Sequence, residues 1–142
     1  MNSFFELGYL IKTISDNFLR IINRQMSAYD LTFQQFQIIE YIMKQNKEVS
    51  QKEIEHYLNV AHPTVVGLLK RMEMKNFIVC QTNPQNKRVK NVFLTKQALS
   101  LMEEISIQKR QMEEQLLGGF SKGQKDELIK SLRTVFNNIH DK

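Results

Sequence analysis

Apolar side chains recur at helical spacing along most of this chain and at strand spacing in one stretch beyond its midpoint. Over residues 4–28, Leu7, Leu10, Ile11, Ile14, Phe18, Ile21 and Ile22 follow the i, i+3, i+4 pattern of an amphipathic helix. A second helix is announced by Thr32 and Gln35, which spell a capping box, and by Leu31 and Phe36, which hold the two positions of a hydrophobic staple. Phe36, Ile39, Ile42 and Met43 carry its expected buried stripe. Ser50 and Glu53 repeat the box, with Val49 and Ile54 as staple, and open a short helix that fades near Asn59. His62-Pro63 begins the next, with Pro at the first helical position, where its missing N–H costs nothing. Val65, Leu68, Leu69 and Met72 share one face of it, and Asn76 marks a left-handed stop.

The period then changes. Phe77 to Thr82 and Val89 to Leu94 are rich in β-branched and aromatic residues, and Asn83 to Arg88 reads as a turn, giving a β-hairpin with a basic tip. From Thr95, a candidate N-cap, a helix runs to about Leu117 with Leu99, Met102, Ile105, Met112 and Leu116 on one side. Gly118-Gly119 ends it, and Ser121 with Gln124 opens a last helix striped by Leu128, Leu132, Val135, Phe136 and Ile139. The predicted fold is mainly α with a small β-wing. Across 32–95 the order helix, helix, tight turn, helix, hairpin is that of a winged helix-turn-helix, in which one helix crosses the DNA backbone and the next lies in the major groove. A helix over 95–117 reaches about 34 Å at 1.5 Å per residue. Its apolar stripe is longer than the winged lobe can cover. The expected organisation is therefore one domain over 1–142, with a DNA-binding lobe at 31–95 and dimerisation helices at 1–30 and 96–142.

A length of 142 residues suits one domain with a real core, and the 42% hydrophobic content with two Pro and five Gly argues against disorder. No apolar run approaches the about 18–20 residues that span a bilayer. Met1 to Glu6 has neither a basic region nor a small-residue cleavage site, so no signal peptide is expected. A lone cysteine, Cys80, cannot form an internal disulfide and fits a reducing cytoplasm. Charge sharpens the picture. Residues 44–96 hold ten Lys/Arg against four Glu, whereas the rest of the chain holds ten against eleven acidic residues. The excess of positive charge therefore lies in the middle third, as a polyanion partner would require.

Lys70, Arg71, Lys87, Arg88 and Lys90 are the cations expected to touch nucleic acid. On a wheel of the helix from His62, Pro63, Gly67 and Lys70 stand opposite Val65, Leu69 and Met72, flanked by Thr64 and Arg71. A mid-helix glycine costs about 1 kcal/mol relative to Ala, so Gly67 calls for either close approach to DNA or a packing contact. Ser50 and Gln51 open the preceding helix, where free N–H groups can meet a phosphate. His62 is expected to cap its own helix or to contact DNA. Cys80 reads as an inert buried thiol. His56, His62, His140 and Cys80 lack metal-ligand spacing, and the pairs Glu103-Glu104 and Glu113-Glu114 read as a solvated helix face. With no nucleophile–base pairing, phosphate loop or His-Glu-x-x-His run, no catalytic residue, metal site or cofactor is expected, and the chain is not read as an enzyme.

The run from Ala61 to Ile78, AHPTVVGLLKRMEMKNFI, resembles the recognition-helix segment of the MarR family of bacterial transcription regulators. Asn83 through Thr95 is similar to the family's Asp-x-Arg wing and the strand after it, which ends in Leu-Thr, here Leu94-Thr95. The long terminal helices match as well, so the resemblance covers essentially the whole chain. It implies an intertwined homodimer on a pseudo-palindromic double-stranded operator, acting as a repressor. It also implies a small phenolic or lipophilic effector, at residues the sequence does not assign. Three departures stand out. Asn86 replaces the Asp that would orient the wing arginine, Asn76 replaces a Gly, and Val66 with Gly67 replace polar side chains. Thymine-methyl contact by Val66 or shape readout by the wing could compensate. The alternative reading is a winged-helix protein-interaction module without DNA binding, which would have no reason to keep Lys87-Arg88.

Overall fold

Three helices of the computed structural model start where the side-chain code places them. The structure describes residues 3–140. Met1, Asn2, Asp141 and Lys142 lie outside it, and with them the ends of the expected domain and the first residues of the stretch read as free of a signal peptide. The order is α1 (Ser3–Ser27), α2 (Phe33–Lys44), β1 (Val49–Ser50), α3 (Gln51–Leu58), α4 (His62–Met74), β2 (Ile78–Asn83), β3 (Asn86–Leu94), α5 (Lys96–Leu117) and α6 (Lys122–Ile139). At α2, α3 and α6 both bonds of the capping box form, from Thr32 with Gln35, Ser50 with Glu53 and Ser121 with Gln124. Each box satisfies two N–H groups that would otherwise be orphaned at a helix start. Asn59 and Asn76, at φ 53° and 66°, take the left-handed stops after α3 and α4.

The sheet holds more than the expected hairpin. Its three strands run antiparallel in the order β1-β3-β2, with Val49 paired to Val92 and Ser50 to Asn91. At two residues, β1 is too short to show a period. Its role is positional, because Ser50 is at once a sheet residue and the N-cap of α3, so the start of α3 is fixed to the central strand. Asn91, buried at this junction, donates from Nδ2 to Glu48 Oε2 at 3.1 Å.

The chain forms two compact units, Met1–Ile105 and Ser106–Lys142. In the first, Met26, Leu31, Phe36, Ile39, Ile54, Val65, Leu69, Met72, Ile78 and Val92 belong to one buried apolar set. One expectation for α2 fails. Met43, one residue from its end, is exposed, and Ile38 is fully buried instead. The buried stripe thus runs through the middle of α2 rather than to its last turn. In the second unit α6 buries no residue, and Leu132, Val135, Phe136 and Ile139 stand 41–67% exposed within one chain. The first half of α1 is likewise bare at Leu7, Leu10, Ile11 and Ile14. Among the described residues no helix is long and apolar enough to cross a membrane.

Candidate nucleic-acid interface

Two side chains fix the exit of α4. Thr95 Oγ1 lies 2.7 Å from the Asn76 carbonyl and 3.2 Å from that of Phe77, and it accepts the Ala98 N–H at 3.2 Å. Thr95 therefore caps α5, as expected, while holding the end of α4 to the end of β3. Lys75 Nζ donates to the Asp30 carbonyl at 2.7 Å, tying the same end to the turn after α1.

With its exit held, α4 faces a groove shared with the start of α3 and with the two long strands. Seven of the twelve residues expected at the site line it: Ser50, Gln51, His62, Val66, Lys70, Arg88 and Lys90. The other five are on the surface around it. Pro63 and Thr64 are exposed in the first turn of α4, Arg71 is exposed further along, and Lys87 is exposed on β3. Gly67 is half-covered, and a Cβ built there would have the Arg71 guanidinium as its nearest side-chain neighbour, at 3.5 Å. That neighbour is thus a flexible side chain of its own helix, at an ordinary van der Waals distance.

The sequence reading missed Lys52, Glu55 and Glu73, which also line the groove. Lys52 follows Ser50 and Gln51 in the first turn of α3, so its nearness was available from spacing alone. Glu55 was hidden because it acts across the turn. It pairs with His62 Nδ1, and Gln51 Nε2 donates to the same oxygen at 3.4 Å. This corrects the capping role expected of His62. Ala61 is the N-cap and makes no side-chain cap bond, His62 is the first helical residue, and Pro63 stands one position later than expected.

The wing departs from expectation in a way that matters for charge. Its turn is only Pro84-Gln85, because Asn83 pairs with Asn86, and Asn83 Oδ1 accepts the Gln85 N–H at 2.8 Å. The next pair is Thr82 with Lys90, so Lys87, Arg88 and Val89 are extra residues on β3. Such a bulge re-aims side chains. Lys87 and Arg88 thus lie on the strand beside the turn rather than at the tip, and Arg88 lines the groove.

Cys80 also differs from the buried thiol expected among apolar neighbours. It is half-buried in the groove wall, with its backbone N–H donating to Glu73 Oε2 at 3.3 Å. Burial, reinforced by the Glu73 carboxylate, pushes the thiol up to about 11, so it stays protonated. Among the described residues no group of three or more His, Cys, Asp or Glu could hold a metal ion. No ion pair among them takes up Lys52, Lys70, Arg71, Lys87, Arg88 or Lys90. The result is a concave surface with unneutralised cations on both walls and an exposed helix between.

Known proteins share this architecture. Residues 29–89 match the family model described as MarR family. The uncharacterised HTH-type transcriptional regulator YwoH of Bacillus subtilis (strain 168) is 38% identical over 98 residues, 69% of this chain and 70% of the relative. The crystal structure of the S. aureus MepR–DNA complex superposes with a TM-score of 0.85 at 25% identity, covering 93% of this chain and 97% of MepR. The organohalide-sensing regulator RdhR, bound to 2,4-dichlorophenol, has the same fold, with a TM-score of 0.85 at 17% identity over 98% of this chain and 82% of RdhR. Sequence, winged lobe and cationic groove agree, and the chain belongs to the MarR family of DNA-binding transcription regulators.

Proposed function

We propose that the chain acts as a cytoplasmic homodimer that represses transcription from a pseudo-palindromic operator and is released by a small lipophilic or phenolic effector. The observation that carries the DNA face is the groove, where the start of α3, the exposed side of α4 and β3 bring Lys52, Lys70, Arg88 and Lys90 together. Gln51 presents its backbone N–H to a phosphate, while the Ser50 N–H is taken by Glu53 Oε1, so Ser50 contributes by fixing the start of α3. Pro63, Thr64, Val66, Gly67, Lys70 and Arg71 enter the major groove on α4, with His62 at its start. Lys87, Arg88 and Lys90 reach the flanking minor groove. No step requires a catalytic residue.

The dimer is supported by the bare apolar faces of α1 and α6, which a single chain leaves in water. On this reading 1–30 and 96–142 dimerise and 31–95 binds DNA, the two-fold axis setting the recognition helices about 34 Å apart. MepR, crystallised on DNA, supports the duplex as partner, and the dichlorophenol-bound neighbour supports an aromatic effector. Sedimentation of the full-length chain, with gel shifts on one and two half-sites, tests the proposal. The expected result is a dimer that prefers two half-sites. A monomer that binds one half-site as tightly as two would refute it.

A further inference from the structure

The middle of α4's outer face carries no polar side chain of its own, because Val66 is apolar and Gly67 has none. The structure fills the gap from one turn away. Helical side chains lean towards the helix N-terminus, over the residue four positions earlier. Arg71 does so over Gly67, with Nη1, Nη2 and Cζ 3.5, 3.8 and 3.9 Å from the point where a Cβ of residue 67 would stand. The guanidinium therefore sits over the centre of the exposed face. No hydrogen bond or ion pair among the described residues holds it, and Val66 beside it is 39% exposed. A long side chain at residue 67 would occupy the same space.

We propose, resting on the major-groove placement of α4 given above, that Arg71 is the guanine-reading residue of this regulator and that Gly67 makes its position possible. The guanidinium fork matches the O6 and N7 acceptors of guanine, a bidentate pairing that no other base edge offers in the major groove. Lys70, a compact ammonium in the groove wall, suits a phosphate instead.

The test is selection of bound sequences from randomised duplex DNA by the full-length wild type, Arg71→Ala, Arg71→Lys and Gly67→Gln, followed by titration on the selected site and its single-base variants. Wild type should select a guanine at one position of each half-site, and replacing it should weaken binding about 10- to 100-fold. That preference should vanish in Arg71→Ala. It should also vanish in Arg71→Lys, which keeps the charge and so the salt dependence, and fade in Gly67→Gln, which keeps Arg71 but fills its place. Uniform weakening by Arg71→Ala with every base preference intact would overturn the proposal in favour of a phosphate contact. Retained guanine preference in Arg71→Lys would overturn it too. A wild type that binds no duplex would overturn the major-groove reading and this proposal together.

Discussion

The side-chain oxygen of Asn86 accepts the backbone N–H of Arg88 at 3.1 Å, inside the stretch where β3 gains three residues over β2. Asparagine in place of the family's aspartate thus keeps an acceptor that shapes the backbone and loses only a negative charge. With no carboxylate there, Arg88 has no ion pair among the described residues and is available for the proposed DNA contact. Arg88→Ala should weaken operator binding by about 1–3 kcal/mol with an unchanged circular dichroism spectrum. Asn86→Ala should cost less, about 0.5–1.5 kcal/mol, through loss of one hydrogen bond. Equal affinity for Arg88→Ala and wild type would place the wing outside the complex.

Glu55 is the carboxylate that lines the groove while engaged with His62 and Gln51. It stands where phosphates would approach. Glu55→Gln should tighten non-specific duplex binding by about 0.5 kcal/mol, the scale of a partly solvated charge interaction. Weaker binding in this variant would show that its tie across the α3–α4 turn outweighs its charge.

Cys80 makes a pH prediction. The thiolate is the reactive form, and burial with the Glu73 carboxylate lifts its pKa to about 11 from the ordinary 9.0. Raising the pKa removes thiolate at neutral pH, so alkylation by iodoacetamide should be slow at pH 7. The rate should climb about tenfold per pH unit through pH 10, past the point where an ordinary thiol levels off. Glu73→Gln should bring the plateau to lower pH. A plateau near pH 9 in the wild type would contradict the assignment.

Thr95 joins the exits of α4 and β3 to the start of α5. Thr95→Val keeps the shape but removes the cap and the bond to Asn76, and should cost about 1–2 kcal/mol in urea unfolding. Asn76→Gly should cost nothing, since φ 66° suits glycine at least as well. Marked destabilisation by Asn76→Gly would mean that the side chain does more than tolerate the turn.

What the sequence revealed follows from range. Capping boxes at Thr32, Ser50 and Ser121 are local codes, written within four residues, and all three hold. The stripe of α6 was legible as a period and lies exposed in one chain, whereas the α5 stripe, expected to outrun its cover, buries Met102, Ile105 and Met112 and leaves only Leu99 and Leu116 bare. The strand Val49–Ser50 was illegible because two residues carry no period, and only pairing with β3 defines it. His62 was misread as a cap because its partner, Glu55, belongs to the preceding helix and meets it only through the fold. The cations at Lys87 and Arg88 were placed on a tip because a run of Asn, Pro and Gln looks like a wide turn. The observed turn is two residues, and the bulge behind it is set by strand register. Arg71 was legible as a cation, but its position over Gly67 depends on side-chain direction along the helix.

The central proposal is that the groove is a surface for duplex DNA, and the salt dependence of wild-type binding tests that most directly. Each phosphate neutralised releases condensed counterions, so contact with about 6–8 phosphates per dimer should give a slope of about −5 to −7 in log K against log salt concentration. A slope near zero, with affinity unchanged between low and high salt, would contradict a DNA-binding role for these cations.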